Sequence, residues 1–266
     1  MPDAIIERDG PTMVITMNRP QRYNALSTAM LVRMYDAMVE ADENPEVRCV
    51  ILTGAGGNFS SGADLRAMAG DADDTDTEVD TQARLAADPD LPYKGILRTY
   101  RPAKPFIAAV EGVAIAGGTE ILQQTDIRIA GESARFGVSE VRWSLYPMGG
   151  SAVRLRRQIP YTHAAEILLT GKHLTAEEAA RVGLIGHVVP DGQALAKARE
   201  IAATIAQNGP IAVEAVLRTL RETDGMTEAE ALAHEWEYGR SVFQTNDGRE
   251  GPRAFAEKRA PNYTRT

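Results

Sequence analysis

Apolar and polar positions alternate with two periods along the chain, and the switch between them outlines the elements. Ile5-Ile6-Glu7-Arg8 and Thr12-Met13-Val14-Ile15-Thr16-Met17 are rich in β-branched residues and are joined by Asp9-Gly10, the pattern of a hairpin. Ser27 then precedes Met30, Leu31, Met34, Ala37 and Met38, a helical spacing that places one face on a core and stops at Glu43-Asn44-Pro45. The runs Val47 to Thr53, Pro105 to Val110, Asp126 to Ala130 and Ala134 to Phe136 predict strands, with a short helix from Gly118 to Gln124. After Tyr161 the pattern becomes helical, and Thr175-Ala176-Glu177-Glu178 and Thr227-Glu228-Ala229-Glu230 match capping boxes at helix starts. Strand, turn, helix, strand recurs through the first two-thirds, which predicts a stacked α/β arrangement followed by a helical layer; no fixed-period repeat underlies it.

Composition narrows the class of function. The chain has 266 residues, enough for a sizeable core, and 29 basic residues against 37 acidic ones give a net charge of −8. That balance argues against a dedicated nucleic-acid or anionic-membrane surface, so an anionic ligand must meet a local cationic or backbone site. The single cysteine, Cys49, lies in the apolar run Val47-Arg48-Cys49-Val50-Ile51-Leu52, which excludes an intramolecular disulfide or a cysteine metal cluster and predicts a buried structural thiol. Met1-Pro2-Asp3-Ala4 lacks the basic and apolar regions of a signal peptide, and no stretch has the apolar length of a spanning helix, so a cytoplasmic enzyme is expected. The histidines His163, His173, His187 and His234 are dispersed without metal spacing and are expected to be structural or superficial.

Two glycine-rich turns carry the chemistry. Gly54 to Asp64 follows a strand, ends in Ser61-Gly62-Ala63-Asp64 and leads into Leu65-Arg66-Ala67-Met68, so free N–H groups of a helix start face outward. It lacks the Gly-Lys-Ser/Thr ending of a phosphate loop. Ala116-Gly117-Gly118-Thr119 repeats the device, and two such turns can aim one N–H each at a single oxygen. Glu120 follows, and Glu140 lies twenty residues on. Taken alone, Glu120 is as readily a carboxylate stabilising a helix N-terminus; paired with Glu140 it can add or remove water. Asp71-Ala72-Asp73-Asp74-Thr75-Asp76-Thr77-Glu78-Val79-Asp80 reads as a mobile acidic segment, either a solvated loop or a lid.

These motifs, in order and spacing, resemble the enoyl-CoA hydratases of the crotonase superfamily from end to end. The resemblance rests on Asn18-Arg19-Pro20 with Asn24-Ala25-Leu26, Ser61 to Asp64, Ala116 to Glu120, Asp126-Ile127, Phe136-Gly137, Glu140, Leu168-Leu169-Thr170-Gly171, Gly183-Leu184-Ile185 and Ala254 to Arg259. It implies a spiral of ββα turns over residues 1–200 bearing the CoA-ester site, and a helical layer over 201–266 that joins subunits into trimers or dimers of trimers. It implies the N–H groups of Ala63 and Gly117 as an oxyanion hole for the thioester carbonyl. Glu120 would activate water and Glu140 would protonate Cα, with no metal and no cofactor beyond the CoA of the substrate. By the same resemblance Gln21, Tyr23, Ala25 and Ser61 line the adenine and pantetheine path, Asp64, Leu65 and Gly118 belong to the substrate- or CoA-binding set, and Lys258 approaches the nucleotide phosphates or is a plain surface lysine.

The sequence departs from the family after Glu140, reading Val141-Arg142-Trp143-Ser144-Leu145-Tyr146-Pro147-Met148-Gly149-Gly150-Ser151. Trp143 is either a core filler or part of the acyl pocket, and Met148 replaces the first glycine of a turn that the family uses near water. This stretch, with Arg128 to Ala134, resembles actinobacterial hydratases of sterol side-chain degradation, which implies a bulky acyl group. An isomerase moving a double bond, or a non-catalytic acyl-CoA- or RNA-binding relative, remains as an alternative.

Overall fold

The computed structural model describes residues 1–70 and 76–266. The predicted hairpin is present as β1 (Ala4–Asp9) and β2 (Thr12–Met17), antiparallel and in register from Ala4 opposite Met17 to Asp9 opposite Thr12. Helix α1 (Thr28–Glu43) starts where the Ser27 side chain accepts the Met30 N–H. β3 (Cys49–Gly54) then returns parallel to β2. Three short helices follow, α2 (Leu65–Met68), α3 (Thr81–Ala87) and α4 (Leu91–Gly95), before β4 (Phe106–Val110) pairs with β3.

The next unit is β5 (Val113–Ile115), α5 (Gly117–Leu122), β6 (Ile127–Gly131) and β7 (Arg135–Gly137). Beyond it lie α6 (Ser151–Gln158), α7 (Tyr161–Thr170), β8 (His173–Thr175), α8 (Ala176–Arg181), β9 (His187–Val189), α9 (Ala194–Gln207), α10 (Pro210–Glu222), α11 (Glu228–Phe243) and α12 (Asn246–Ala256). The larger sheet has the order β1-β2-β3-β4-β6-β9 and the smaller one β5-β7-β8.

Period-2 alternation divides the large sheet between two cores. Met13, Ile15 and Met17 of β2, Val50 and Leu52 of β3, and Phe106, Ala108 and Val110 of β4 face α1 and α5. Val14, Cys49, Ile51, Ile107 and Ala109 point the other way, onto Ala194, Ala198 and Ala202 of α9. Cys49 is fully buried there, and burial pushes its thiol up to about 12.

One expectation is corrected. The region after Tyr161 is not purely helical: β8 closes the small sheet against β7, and β9 adds a sixth strand beside β6. Residue 200 falls inside α9, whose alanines cover the large sheet. Both capping boxes, at Thr175 and Thr227, are formed. Among the described residues, no helix is long and apolar enough to cross a membrane.

Candidate active site

The two glycine-rich turns meet. Residues 59–61 run as an extended segment tied to neighbouring chain by Phe59 N–H to Glu111 O, Ser60 N–H to Val113 O and Ser61 N–H to Tyr23 O, at 2.8–2.9 Å. Gly62 then takes φ +88°, and a Cβ there would lie 2.7 Å from both the Gly117 nitrogen and the Ala116 Cβ. A Cβ on Gly117 would lie 3.6 Å from the Ala63 nitrogen. The N–H groups of Ala63 and Gly117 are therefore neighbours, and neither donates to a protein acceptor among the described residues.

Each donor is aimed by its own support. Ala116 holds φ 52° and ψ −122°, and its N–H is fixed to Gly137 O at 2.7 Å. On the other side, Arg19 is fully buried, and its Nη1 donates to Asp64 Oδ2 at 2.9 Å and to Ala25 O at 2.8 Å. The Asp64 carboxylate also caps α2 by accepting the N–H groups of Arg66 and Ala67 at 3.2 Å. Burial pushes Asp64 up, but Arg19 and the Ala67 N–H outweigh it and hold the carboxyl below its usual range. Asn24, also buried, accepts Arg19 N–H at 2.9 Å and donates to Ala55 O and Asn58 O at 2.9 and 2.7 Å.

Glu120 lies one turn into α5, 4 % exposed, with a hydrogen bond on each oxygen: Gly149 N–H at 2.8 Å and Ser151 N–H at 3.0 Å. Gly149 has no Cβ because one would sit 2.5 Å from Glu120 Oε2. Arg154 secures this turn, donating from Nη1 to Gly149 O at 2.7 Å and from Nη2 to Arg98 O at 3.1 Å. Met148 thus leaves the backbone contacts of the neighbouring Gly149 and Ser151 to Glu120 intact.

Glu140 opens a short 3₁₀ turn, Glu140–Trp143. Its Oε2 is buried without a hydrogen-bond partner among the described residues. Burial, assisted by the Glu120 charge, pushes this carboxyl up to about 7. Burial raises Glu120 as well, but the N–H groups of Ser151, Gly149 and Gly150 oppose it. Both carboxyls are raised, and Glu120 alone of the two has the N–H donors of Gly149 and Ser151, which favour its ionised form.

The other expected contacts divide. Gln21 and Tyr23 are exposed on the rim beside the Ala63 turn, and Ser61 is half-buried with its Oγ 3.4 Å from Arg22 O. Leu65 is exposed at the start of α2. Ala25 is buried, with its carbonyl taken by Arg19. The Asp64 carboxylate is bonded to Arg19 and caps α2, and Gly118 is closely packed, since a Cβ there would meet Ser60 O at 2.5 Å. Trp143 is 68 % exposed, which removes the core-filler reading. Lys258 is exposed beyond α12 at φ 55°. Of the acidic segment, 71–75 lie outside the described residues; Asp76 is buried, bonded to the Asp3 N–H and paired with Arg33, so this end is anchored. Arg19, Gly149 and Ser151 had no role assigned from the sequence.

Comparison with known proteins gives the same answer as the geometry. The family model for enoyl-CoA hydratase/isomerase matches residues 7–266. The chain belongs to this family. It is 57 % identical over 262 residues to the enoyl-CoA hydratase EchA19 of Mycobacterium tuberculosis, covering 98 % of this chain and 96 % of that protein. It is 32 % identical to the 2,3-dehydroadipyl-CoA hydratase of Escherichia coli, with 99 % of each chain covered. Among solved structures, a putative enoyl-CoA hydratase/isomerase from Mycobacterium abscessus superposes with a TM-score of 0.89 at 44 % identity, covering 99 % of this chain and all of that one. The enoyl-CoA hydratase of Mycobacterium tuberculosis H37Rv gives 0.88 at 36 % identity, with both chains fully covered. The family shares the spiral α/β fold with C-terminal helices described above.

Proposed function

We propose that the protein is an enoyl-CoA hydratase, adding water syn across a trans-2-enoyl-CoA to give a 3-hydroxyacyl-CoA. The observation that carries this reading is the unequal glutamate pair beside two unpaired, adjacent N–H groups. A thioester carbonyl accepting from Ala63 and Gly117 polarises the enoyl group. Glu120, ionised, takes a proton from water as the water oxygen bonds Cβ. The π electrons move to the thioester oxygen as an enolate, where the two N–H groups meet the new charge. Glu140 then delivers its proton to Cα. The carboxylates end with their protons exchanged and return to the starting state through solvent. This chemistry asks for no metal and no cofactor beyond the substrate's CoA.

Both carboxylates have work in hydration, whereas moving a double bond needs one base to shuttle a proton. Loss of the enoyl-thioester absorbance of crotonyl-CoA in water, abolished by Glu140→Gln, is the expected result; isomerisation without hydration refutes it.

The acyl group is proposed to be bulky, on the resemblance of the stretch after Glu140 to actinobacterial hydratases of sterol side-chain degradation. Val141, Trp143, Leu145, Tyr146 and Met148 form an exposed apolar stretch between Glu140 and the Gly149 turn. On this reading, Trp143→Ala lowers kcat/KM for a steroid-sized enoyl-CoA more than for crotonyl-CoA. A trimer or dimer of trimers is proposed from α11, which buries none of its 16 residues and exposes Leu232, Trp236 and Phe243. Analytical ultracentrifugation tests it, a monomer being the adverse result.

A further inference from the structure

A cavity of about 940 Å³ lies between α6, α10, the start of β6 and the turn that leads into β9. Glu120, Glu140, Ala63 and Gly117 are absent from the described residues that line it. Its walls carry Arg101, Arg128, Arg154, Arg157 and Arg221 against two carboxylates, Asp126 and Asp224. These arginines come from separate parts of a chain whose net charge is −8, so no basic run announces them. Asp126 accepts from Arg221 Nε at 3.1 Å and Nη2 at 2.6 Å, from Arg101 Nη2 at 3.2 Å and from the Phe106 N–H at 2.9 Å. Asp224 pairs with Arg157 at 3.4 Å. Arg154 donates to the carbonyl oxygens of Gly149, Leu97 and Arg98; burial pushes it down and the Glu120 charge pushes it back, so it is balanced from the side of the glutamates. Four arginines then share two carboxylates, and two positive charges are left over.

We infer that this cavity is a binding site for a small anion of two or more charges, a phosphate-bearing or polycarboxylate metabolite, with Arg101 and Arg157 as its accessible donors. Arg157 is 52 % exposed and Arg101 35 %, whereas Arg221 is 12 % exposed and spent on Asp126. The forked N–H groups of a guanidinium match the paired oxygens of phosphate and carboxylate. Arg128 reaches carbonyl oxygens of Leu184, Gln123 and Thr125, yet its Nε is buried without a partner among the described residues. Burial pushes Arg101 and Arg128 down to about 10, with the Arg221 charge adding to it at Arg101. Both stay cationic at neutral pH, at a cost that an anion between them and Arg157 would offset.

The site does not depend on the hydratase reading, and its test involves no turnover. The probes are inorganic pyrophosphate and citrate, added to the full chain at an ionic strength held constant with sodium chloride. Equilibrium dialysis should show one saturable site per chain for at least one probe, and Tm should rise by about 2–6 °C as the site fills. Arg101→Gln and Arg157→Gln should each weaken binding about tenfold, the worth of one hydrogen bond to a charged group. Arg199→Gln removes a half-exposed arginine that pairs with Asp9 at 3.6 Å, away from the cavity, and should leave binding unchanged. Should Arg101→Gln fail to fold, the more exposed Arg157→Gln decides by the same dialysis. Absence of saturable binding overturns the inference, and so does an equal loss in Arg199→Gln, the mark of diffuse attraction. Displacement of the probe by CoA, with both cavity variants binding as wild type, would put the probe on the substrate path and also overturn it. The rival occupant is an acidic side chain from a second copy of this chain; in that case neither probe binds the assembled protein, and the inference falls.

Discussion

Glu140→Gln should make the protein inactive and, at neutral pH, more stable. Glu140 is lodged where burial and the Glu120 charge push its carboxyl from 4.5 to about 7, and Oε2 has no donor among the described residues to offset that. A carboxyl raised in the folded state favours the fold in its protonated form. Its penalty is absent below pH 4.5, grows as pH rises from 4.5 to 7, and is full above 7. The rise corresponds to about 3 kcal/mol at 1.36 kcal/mol per pH unit, which partial solvent access reduces to about 1–2 kcal/mol. Glutamine keeps the shape and carries no charge, so its advantage over wild type should be larger at pH 8 than at pH 5. For a chain of this size the change amounts to roughly 2–8 °C in Tm. The assay is thermal unfolding of both proteins at the two pH values and equal protein concentration. A Tm difference that does not change with pH, or that favours wild type at pH 8, would refute the picture of a buried, unpaired carboxyl.

Three further outcomes follow from contacts described above. Gly149→Ala places a Cβ 2.5 Å from Glu120 Oε2 on a backbone that accepts alanine, so kcat should fall on the order of a hundredfold with circular dichroism unchanged; near-normal turnover would show that the Glu120 position is not critical. Asp64→Ala removes the 2.9 Å partner of the buried Arg19, which keeps Asp3 at 3.6 Å, and should cost about 1.5–3 kcal/mol in urea unfolding, the worth of a hydrogen bond to a charged group, whereas a surface-like loss under 1 kcal/mol would contradict the network. Cys49, buried and pushed up to about 12, should resist a disulfide reagent in the native protein and react once after denaturation; rapid native labelling at pH 8 would contradict its burial.

Local chemistry made much of this molecule readable in advance. The hairpin turn at Asp9-Gly10, the Ser27 cap and the two capping boxes lie within a few residues of what they control, so pattern and structure coincide. Strands β8 and β9, three residues each, are too short for a period to show, and only pairing with β7 and β6 makes them strands. The site divides in the same way. Glu120, Glu140 and the two glycine turns stood out by spacing. The Arg19 to Asp64 bond spans 45 residues and the Gly149 contact to Glu120 spans 29, so both are properties of the folded spiral rather than of any window. Trp143 was ambiguous because an indole suits a core and a pocket equally well; its exposure follows from the 3₁₀ turn that carries it outward.

Ala116 gives the proposed oxyanion hole a history that starts before any substrate arrives. An alanine at φ 52° and ψ −122° occupies backbone space that an unfolded peptide seldom visits, at a cost of about 1–3 kcal/mol. The peptide unit that follows it bears the Gly117 N–H, so the awkward torsion is what points the donor. That cost is met once, during folding, and not again at each turnover. Laboratory selection for heat resistance alone, with activity unscreened, should therefore collect replacements at Ala116, glycine first among them, and produce tougher proteins that are poorer catalysts.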